Sequence, residues 1–470
     1  MAIDLLAIQR GTITAPAGCG KTQLIADALS RSVVGGKPIL VLTHTNAGVA
    51  ALRARLDKAR VPAAAYRLAT IDGWAMRIIS LFPARSGINP QILALANPKT
   101  DYPAIRRAGF ELLKAGHIND LLAASYSRLI VDEYQDCSTP QHAIIYYASQ
   151  VLPTCVLGDP MQAIFGFGDP LADWDKHVCS HFPVAGELTI PWRWKNVGTE
   201  EFGAWLLNAR KALAVGQSID LRKAPHHVRW VPMDGTQDHE RRLLAARTKA
   251  PHENGHVLII GDSVNPSGQR QFASQTPGAV TVESVDLGDL VGFAKAFDLE
   301  GADALNRLVA FAQEVMTNVG AADLLKRVDV LKRGTARKEP TDVERSALRF
   351  LETPTYTDAI DLMVEIGKEG GVRTHRPGVL QAFIKTLRQC SGQDAPPLYE
   401  AAVAVREQSR LVGRPLPKRA VGSTLLLKGL EADVAVILDA TKMNAKNLYV
   451  AMTRGSRLLV ICSPHPVLAP

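Results

Sequence analysis

The sequence predicts an α/β fold with parallel sheets in two or more domains, and three observations support this. First, short apolar runs rich in Val, Ile and Leu alternate with helical patterns along the 470 residues. Second, several runs are followed directly by glycines or carboxylates, at the strand ends where open parallel sheets bind ligands. Third, the length suffices for two or more domains. The expected strands include Pro38–Leu42, Leu129–Val131, Thr154–Leu157, Val257–Ile260, Val434–Leu438 and Leu458–Ile461.

The first candidate site is the segment Ala-Pro-Ala-Gly-Cys-Gly-Lys-Thr, residues 15–22, which is typical of a phosphate-binding loop. An apolar run precedes it and an amphipathic stretch follows, so the loop opens a helix whose N-terminus favours anions. Lys21 would reach the β- and γ-phosphates of a nucleotide, and Thr22 would bind Mg²⁺. Ala15 replaces the usual glycine, and a chance glycine turn is the alternative. The expected nucleotide contacts are Ala17, Gly18, Cys19, Gly20, Lys21 and Thr22.

The second candidate site is an apolar strand that ends in the adjacent carboxylates Asp132 and Glu133. Asp132 would bind Mg²⁺, directly or through its water shell, and Glu133 would activate water for attack on the γ-phosphate. By itself the pattern also fits an acidic loop after a buried strand. Together with the phosphate-binding loop it favours ATP hydrolysis.

These segments and several others resemble the sequence boxes of superfamily 1 DNA helicases of the UvrD, Rep and PcrA type. Residues 132–136, Asp-Glu-Tyr-Gln-Asp, are similar to the acidic box of that family. Further matches follow in family order between residues 15 and 454. They are Leu42–Ala47, Ala69–Trp74, Gly158–Phe167, Pro191–Arg193, Lys428–Glu431 and Leu448–Arg454.

The resemblance implies two RecA-like motor domains that hold ATP and Mg²⁺, and movement on single-stranded DNA in the 3′ to 5′ direction. It implies that Gln162 senses the γ-phosphate, that Arg193 and Arg454 act as arginine fingers from the second motor domain, and that Glu431 binds the ribose. It also implies four DNA contacts, at Thr45, Asn46, Phe165 and Phe167. For Arg193 the alternative is a surface arginine stacked on Trp192 and Trp194.

The sequence departs from the family mainly at positions that contact DNA or couple it to ATP. Ile71 and Asp72 replace the usual Phe and His, Gly168 stands where an Arg is common, and Leu425 lies near the place of a usual His. We therefore expect a weak unwinding motor.

The expected domains follow from the order of these boxes. Residues 1–188 would form the first motor domain, with a short insertion at about 75–125. Residues 189–285 and 415–470 would form the second motor domain. Residues 286–414 show helical spacing without strong strands and would form a helical accessory insertion, which would either dock a partner or regulate closure of the two motor domains.

Composition sets limits on the class of protein. The net charge of +8 and the pI of about 9.1 favour a polyanionic partner, although a solvated surface gives the same balance. The six cysteines contain no C-x-x-C pair, which argues against a zinc or disulfide framework and suits a reducing cytoplasm. We expect no signal peptide, no membrane span and no membrane partner.

Two functions remain open at this stage. The first is an ATP-dependent DNA translocase or helicase that binds single strands and single-strand/duplex junctions, in DNA repair or in anti-phage defence akin to Gabija-type helicase subunits. The second is an ATP-switched sensor of DNA ends or single strands. It would recruit a partner, such as a separate nuclease subunit, without processive unwinding.

Overall fold

The computed structural model describes residues 3–32, 36–95, 97–165, 169–283, 286–392, 395–411 and 416–470, apart from the side chains of residues 410 and 411. The chain divides into two compact units. The first comprises Met1–Trp230, Ala440–Leu459 and His465–Pro470, and the second comprises Val231–Asp439 and Val460–Pro464. Across the described ranges, no helix is both long enough and apolar enough to span a bilayer.

The first unit contains a six-stranded sheet in which every neighbouring pair is parallel. The strand order is β3-β2-β4-β5-β1-β6. Strands β2, β4 and β5 are buried along their whole length, as expected for parallel strands that helices cover on both faces. The strands are β1 (Arg10–Thr14), β2 (Ile39–Thr43), β3 (Tyr66–Thr70), β4 (Arg128–Val131), β5 (Thr154–Gly158) and β6 (Val184–Glu187).

Helices connect these strands, and two further helices, α9 (Trp192–Lys195) and α10 (Glu200–Ala214), follow β6. Pro83 and Pro98 each occupy the first helical position, where a missing N–H costs nothing. The helices are α1 (Lys21–Ser30), α2 (Asn46–Lys58), α3 (Ile71–Leu81), α4 (Pro83–Ser86), α5 (Pro98–Lys114), α6 (Asn119–Ser125), α7 (Thr139–Ala148), α8 (Cys179–His181), α9 (Trp192–Lys195) and α10 (Glu200–Ala214). A short strand, β7 (Ile219–Asp220), follows α10.

Two apolar clusters lie against this sheet. One joins Ile13, Ile25 and Leu52 of β1, α1 and α2. The other joins the strands to α3, α5 and α7, and it includes Trp74, which is 2% exposed. This burial places the Trp74 side chain in the hydrophobic core.

The second sheet also has six strands, in the order β10-β13-β9-β14-β15-β8. The pairs β10–β13, β13–β9 and β9–β14 are parallel. The strands are β8 (Val228–Pro232), β9 (Val257–Gly261), β10 (Val280–Thr281), β13 (Arg419–Ser423), β14 (Ala432–Ile437) and β15 (Gly455–Ser463), and the helices α11 (Asp238–Ala246) and α12 (Pro266–Gln275) accompany them. Two six-stranded sheets with intervening helices confirm the predicted α/β fold class.

Within residues 286–392 and 395–411 the secondary structure consists of helices joined by loops, apart from the two-residue antiparallel strands β11 (Met316–Thr317) and β12 (Arg373–Thr374). A separate apolar cluster, running from Leu287 to Val405, forms the core of this region. The helices are α13 (Gly288–Ala296), α14 (Ala304–Val315), α15 (Ala321–Lys332), α16 (Asp342–Glu352), α17 (Tyr356–Lys368), α18 (Pro377–Gln389) and α19 (Leu398–Leu411).

The first compact unit extends further along the chain than the expected boundary at residue 188. It includes α9, α10, a later helix α20 (Ala445–Met452) and the strand β16 (Val467–Leu468), which pairs with β7. Hydrogen bonds account for this grouping: Trp194 Nε1 donates to the Gly455 carbonyl at 3.0 Å, and Thr199 Oγ1 donates to the Ser456 carbonyl at 2.6 Å.

Candidate nucleotide site

The phosphate-binding loop connects β1 to α1, as the sequence predicts. Gly18 and Gly20 have φ angles of 70° and 86°, a left-handed conformation that only glycine adopts without strain. A Cβ atom on Gly18 would also lie 2.5 Å from the Trp194 ring and 2.9 Å from Cβ of Arg193. Both glycines are therefore required by backbone shape, and Gly18 also by close packing.

Lys21, at the start of α1, is held by the two carboxylates that follow β4. Its Nζ lies 3.1 Å from Asp132 Oδ1 and contacts Glu133 Oε1 more closely. Burial alone lowers the pKa of Lys21, but the two carboxylates outweigh burial and raise the pKa above its ordinary value. Burial raises the pKa of Asp132, while Lys21 opposes that shift. We infer a charged Lys21 that bridges the two acidic side chains.

Glu133 has a left-handed backbone, with φ of 53°, which is uncommon for a residue with a side chain. Its backbone N–H donates to Asp132 Oδ1 at 2.9 Å, and its Oε2 accepts a hydrogen bond from Gln135 Nε2 at 2.6 Å. Strained residues of this kind persist where the surrounding structure fixes them, and they cluster at functional sites. In this conformation the Glu133 carboxylate contacts Lys21 of the phosphate-binding loop.

The residues predicted to bind Mg²⁺ have suitable chemistry. Thr22 supplies a hydroxyl in the first turn of α1, and Asp132 supplies a carboxylate that is 7% exposed at the carboxyl end of β4. Mg²⁺ prefers oxygen ligands, usually one or two carboxylates together with phosphate oxygens and water. The donor set therefore fits Mg²⁺ bound with a nucleotide.

Gln162 lies in a short helical turn after β5, where its Nε2 donates to Oδ2 of the fully buried Asp159 at 3.0 Å. Arg210 of α10 donates to the other oxygen of Asp159 from Nε at 3.0 Å and from Nη2 at 2.8 Å. Sequence reasoning did not find Arg210, although a signal was present. An arginine occupies the face of α10 that otherwise buries Phe202, Leu206 and Leu213.

Arg193 and Arg454 both lie in the compact unit that contains the phosphate-binding loop, whereas the sequence assigned them to a second motor domain. The Arg193 backbone N–H donates to the Gly18 carbonyl at 3.0 Å, and its Nη1 donates to the Thr453 carbonyl at 2.6 Å. Its guanidinium also lies 5.2 Å from the centroid of Trp194. Arg454 is 2% exposed and donates to the Val450 carbonyl and to Thr453 Oγ1, each at 2.8 Å. Thr453 therefore bonds to both arginines.

Tyr449 is a second residue that sequence reasoning missed, although it lies within one of the matched boxes. The Ala17 backbone N–H donates to its hydroxyl at 3.2 Å, so α20 contacts the phosphate-binding loop directly. Burial raises the pKa of the Tyr449 hydroxyl well above its ordinary value, with a further contribution from Asp159. Burial also raises the pKa of Cys19 to about 12, so Cys19 fills the loop as a neutral thiol.

The four predicted DNA contacts differ in how the structure presents them. Thr45 caps α2, since its hydroxyl accepts a hydrogen bond from the Gly48 N–H at 3.0 Å, and Asn46 is the first residue of that helix. The Phe165 ring lies 5.5 Å from the His44 ring, beside the same loop. Phe167 lies outside the described residues.

Asp72, which stands where the family has a histidine, is bound to neighbouring helices. Arg106 of α5 donates to its two oxygens at 2.9 and 2.7 Å, and Gln141 of α7 donates to Oδ1 at 2.9 Å. Arg106 also binds Asp169 at 2.8 Å. Asp72 of α3 therefore links that helix to α5, which lies in the expected insertion, and to α7.

The ribose-binding candidate, Glu431, belongs to the second compact unit. It is exposed and immediately precedes β14, two residues after Gly429, which has a φ of 82°.

Comparison with known proteins gives a partial similarity. Residues 2–168 match a family described as an AAA domain, a helicase-like P-loop family. No curated protein matches the sequence. Among solved structures, a complex of the arterivirus nonstructural protein 10 helicase with DNA is similar, with 13% sequence identity and a TM-score of 0.29. The match covers 54% of this chain and 48% of that chain, so this chain spans about half the length of the viral chain. The matched AAA-domain segment contains the loop, the acidic pair and Gln162.

Proposed function

We propose that this protein is an ATP-dependent nucleic-acid translocase or helicase. One observation carries the proposal: Lys21 of the phosphate-binding loop is bound to both Asp132 and Glu133 at the carboxyl edge of a parallel sheet. Phosphate-binding loop, metal-binding carboxylate and general base are the parts that NTP hydrolysis needs. The similarity of residues 2–168 to a helicase-like P-loop family supports the same class.

In the proposed reaction the backbone of the loop and Lys21 bind the phosphates of ATP. Mg²⁺, held by Thr22 and Asp132, would neutralise charge on the β- and γ-phosphates. Lys21 exchanges its carboxylate partners for phosphate oxygens, which frees the Glu133 carboxylate to accept a proton from the attacking water. Gln162 orients that water, and Arg210 acts as a positioning residue because it fixes Asp159, the partner of Gln162.

We further propose that the nucleic acid is single-stranded DNA, or a junction of single strand and duplex, and that movement is 3′ to 5′. The resemblance of the boxes around Thr45, Asn46 and Phe165 supports this choice. Aromatic stacking of a base contributes about 1–3 kcal/mol without sequence preference, which suits a motor that moves along any sequence. DNA repair and anti-phage defence are the two settings that the resemblance favours.

Steady-state ATPase assays with and without single-stranded oligonucleotides test the proposal. We expect hydrolysis that depends on Mg²⁺, rises with added DNA and disappears in Lys21→Ala. Duplexes with a 3′ tail or a 5′ tail then determine direction. A 3′ to 5′ motor loads on a 3′ tail and displaces the complementary strand, and it leaves a duplex with only a 5′ tail intact. Equal ATPase rates with and without DNA, at every oligonucleotide length, would remove the motor function.

The hydrogen bonds of Asp72 favour a second candidate, an ATP-switched DNA sensor that recruits a nuclease through the helical region. Asp72 binds Arg106 and Gln141, so this position of the DNA box is occupied by a structural network. Replacing residues 286–414 by a short linker should then retain ATPase activity and abolish capture of the partner. Fast, processive unwinding by the lone chain would exclude this candidate, and partner capture by the deletion variant would exclude docking on the helical region.

A further inference from the structure

Glu201, His226 and His227 form a cluster of potential metal ligands that takes no part in the proposed ATPase reaction. One ligand atom from each residue lies within 4.8 Å of the other two. Glu201 is in the first turn of α10, and the two histidines precede β8. All three residues belong to the first compact unit.

A tight turn brings the two histidines together. The Val228 N–H donates to the Pro225 carbonyl at 2.8 Å, which makes His226 and His227 the central residues of a β-turn. Their rings are 3.8 Å apart between centroids. Adjacent residues of an extended strand would point to opposite faces, so the turn is what gives this pair a shared direction.

The turn is anchored on both sides, and this fixes the position of the cluster. The Leu459 N–H of β15 donates to the His227 carbonyl at 2.8 Å. Phe202, the residue after Glu201, stacks on the His227 ring with 6.0 Å between centroids and 7° between planes. The stacked ring keeps the His227 imidazole beside the start of α10, where Glu201 is located.

One nitrogen of this cluster is buried without a hydrogen-bond partner. Nδ1 of His227 has no partner among the described residues, and a buried polar atom of this kind costs free energy. With no hydrogen bond holding one tautomer, either ring nitrogen can present a lone pair to an ion.

We propose that Glu201, His226 and His227 bind a borderline divalent transition-metal ion, with Zn²⁺ as the representative ion, and that this ion links the start of α10 to the turn before β8. Two imidazoles and one carboxylate form a known three-ligand set for Zn²⁺, with a fourth position left for water. Ligand atoms of a tetrahedral zinc site are about 3.4 Å apart, given bonds of about 2.1 Å. Glu201 and His226 are exposed and close the remaining gap by side-chain rotation.

The ligand chemistry separates this site from the nucleotide site. Mg²⁺ and Ca²⁺ prefer oxygen ligands, whereas imidazole favours Zn²⁺, Ni²⁺ and Cu²⁺. Excess Mg²⁺ should therefore saturate Thr22 and Asp132 without competing for the two histidines. Binding of Zn²⁺ in the presence of excess Mg²⁺ thus reports on this cluster without reference to ATP hydrolysis.

The test uses the full-length chain after chelator treatment, in buffer with excess Mg²⁺. Zn²⁺ is titrated against a chromophoric chelator, and Co²⁺ is added separately to record its visible d–d absorption. We expect the wild type to bind Zn²⁺ and to gain thermal stability as Zn²⁺ rises above its dissociation constant. Glu201→Gln and His226→Gln should each lower affinity at least tenfold, and the visible Co²⁺ band should be lost in both.

Matched controls make the result specific. Glu200→Gln removes a carboxylate from the same turn of α10, and His117→Gln removes another exposed histidine; both should bind Zn²⁺ as the wild type does. His226 is exposed, so its substitution leaves the fold intact and keeps the test valid if a His227 variant unfolds. Unchanged affinity in Glu201→Gln and His226→Gln would overturn the proposal. So would an ultraviolet thiolate-to-Co²⁺ band, which would assign binding to cysteine.

Discussion

Arg210 donates two hydrogen bonds to one oxygen of the fully buried Asp159 carboxylate, at 3.0 and 2.8 Å. The other oxygen of Asp159 accepts a hydrogen bond from Gln162. Burial alone lowers the pKa of Arg210, but Asp159 outweighs burial and raises it, so the arginine remains charged. This pair connects α10 to the turn that presents Gln162.

Removing Arg210 should destabilise the protein strongly, because Asp159 would remain buried without its counter-charge. For Arg210→Met we expect a loss of about 3–5 kcal/mol in the free energy of unfolding, measured by urea titration. The double variant Arg210→Met with Asp159→Asn should recover much of this loss. As a control, Arg222→Met removes an exposed arginine that is paired with Asp220, and we expect a much smaller change in the free energy of unfolding than for Arg210→Met, because water screens an exposed pair. Equal losses in the two arginine variants would contradict a special role for the buried pair.

Substitution of Lys21 and Glu133 should separate binding from hydrolysis. Lys21→Ala removes the cation that binds the phosphates in the proposed reaction, so ATP binding and turnover should both fall. Glu133→Gln keeps the loop and Asp132 but removes the base, so turnover should fall by roughly 10²–10⁴ while ATP binding persists. Turnover is measured by phosphate release and binding by fluorescent-nucleotide titration.

Glu111→Gln provides the matched control, since it removes an exposed carboxylate from α5 in the same unit. Its turnover and nucleotide affinity should equal those of the wild type. A wild-type rate of hydrolysis in Glu133→Gln would show that another group accepts the proton from water, and the assignment of the base would then be wrong.

The sequence was sufficient to locate the elements that form the candidate nucleotide site. Lys21 follows a glycine-rich loop, and Asp132 and Glu133 end an apolar strand, so each pattern is local in the chain. Parallel strands then bring these carboxyl ends to one edge of the sheet. Lys21 Nζ and Asp132 Oδ1 lie 3.1 Å apart because this sheet topology brings the two segments together. The alternation of apolar runs and helical patterns in the sequence indicates that topology.

Other parts of the site depend on single residues that are distant in sequence. Arg210 pairs with Asp159 across 51 positions, and Tyr449 meets Ala17 across 432. The buried-face position of Arg210 and the box that contains Tyr449 do not identify the contact partner, because each contact depends on how two elements pack in three dimensions. The left-handed backbone of Glu133 is equally invisible in sequence, since a glutamate gives no sign of a positive φ.

Arg454 provides a test that separates a finger from a structural arginine. Its side chain donates to Val450 and Thr453, so Arg454→Ala leaves buried acceptors unsatisfied and should cost about 1–3 kcal/mol of stability. If Arg454 also contacts the γ-phosphate, turnover falls by orders of magnitude in Arg454→Lys, which keeps the charge but loses the planar fork. Single-stranded DNA affinity, measured by fluorescence anisotropy, should change little in both variants. Normal turnover in Arg454→Lys would leave only the structural role.

A histidine pair behind the acidic box should make stability depend on pH. The Tyr134 hydroxyl lies 2.8 Å from His142 Nδ1, and His142 Nε2 lies 2.9 Å from His181 Nδ1. Burial lowers the pKa of His142 to about 4, with further contributions from His181 and His177. In the folded protein His142 is therefore neutral at pH 5, whereas the unfolded chain is mostly protonated there.

The sign of the effect follows from proton binding. Above pH 6.5 His142 is neutral in both the folded and the unfolded state, so it makes stability no more dependent on pH there. Between pH 6.5 and about 4 the unfolded state binds more protons than the folded state, so the free energy of unfolding falls as the pH drops through this window. The contribution of His142 to this loss in the free energy of unfolding is on the order of 3 kcal/mol. This contribution should be absent in His142→Gln, because an amide does not titrate in this window. Urea titrations at half-unit steps from pH 7 to pH 4 measure the slope for each chain. His239→Gln, at an exposed site in the other compact unit, should keep the wild-type slope. Parallel curves for the wild type and His142→Gln would show that His142 does not cause the acid sensitivity.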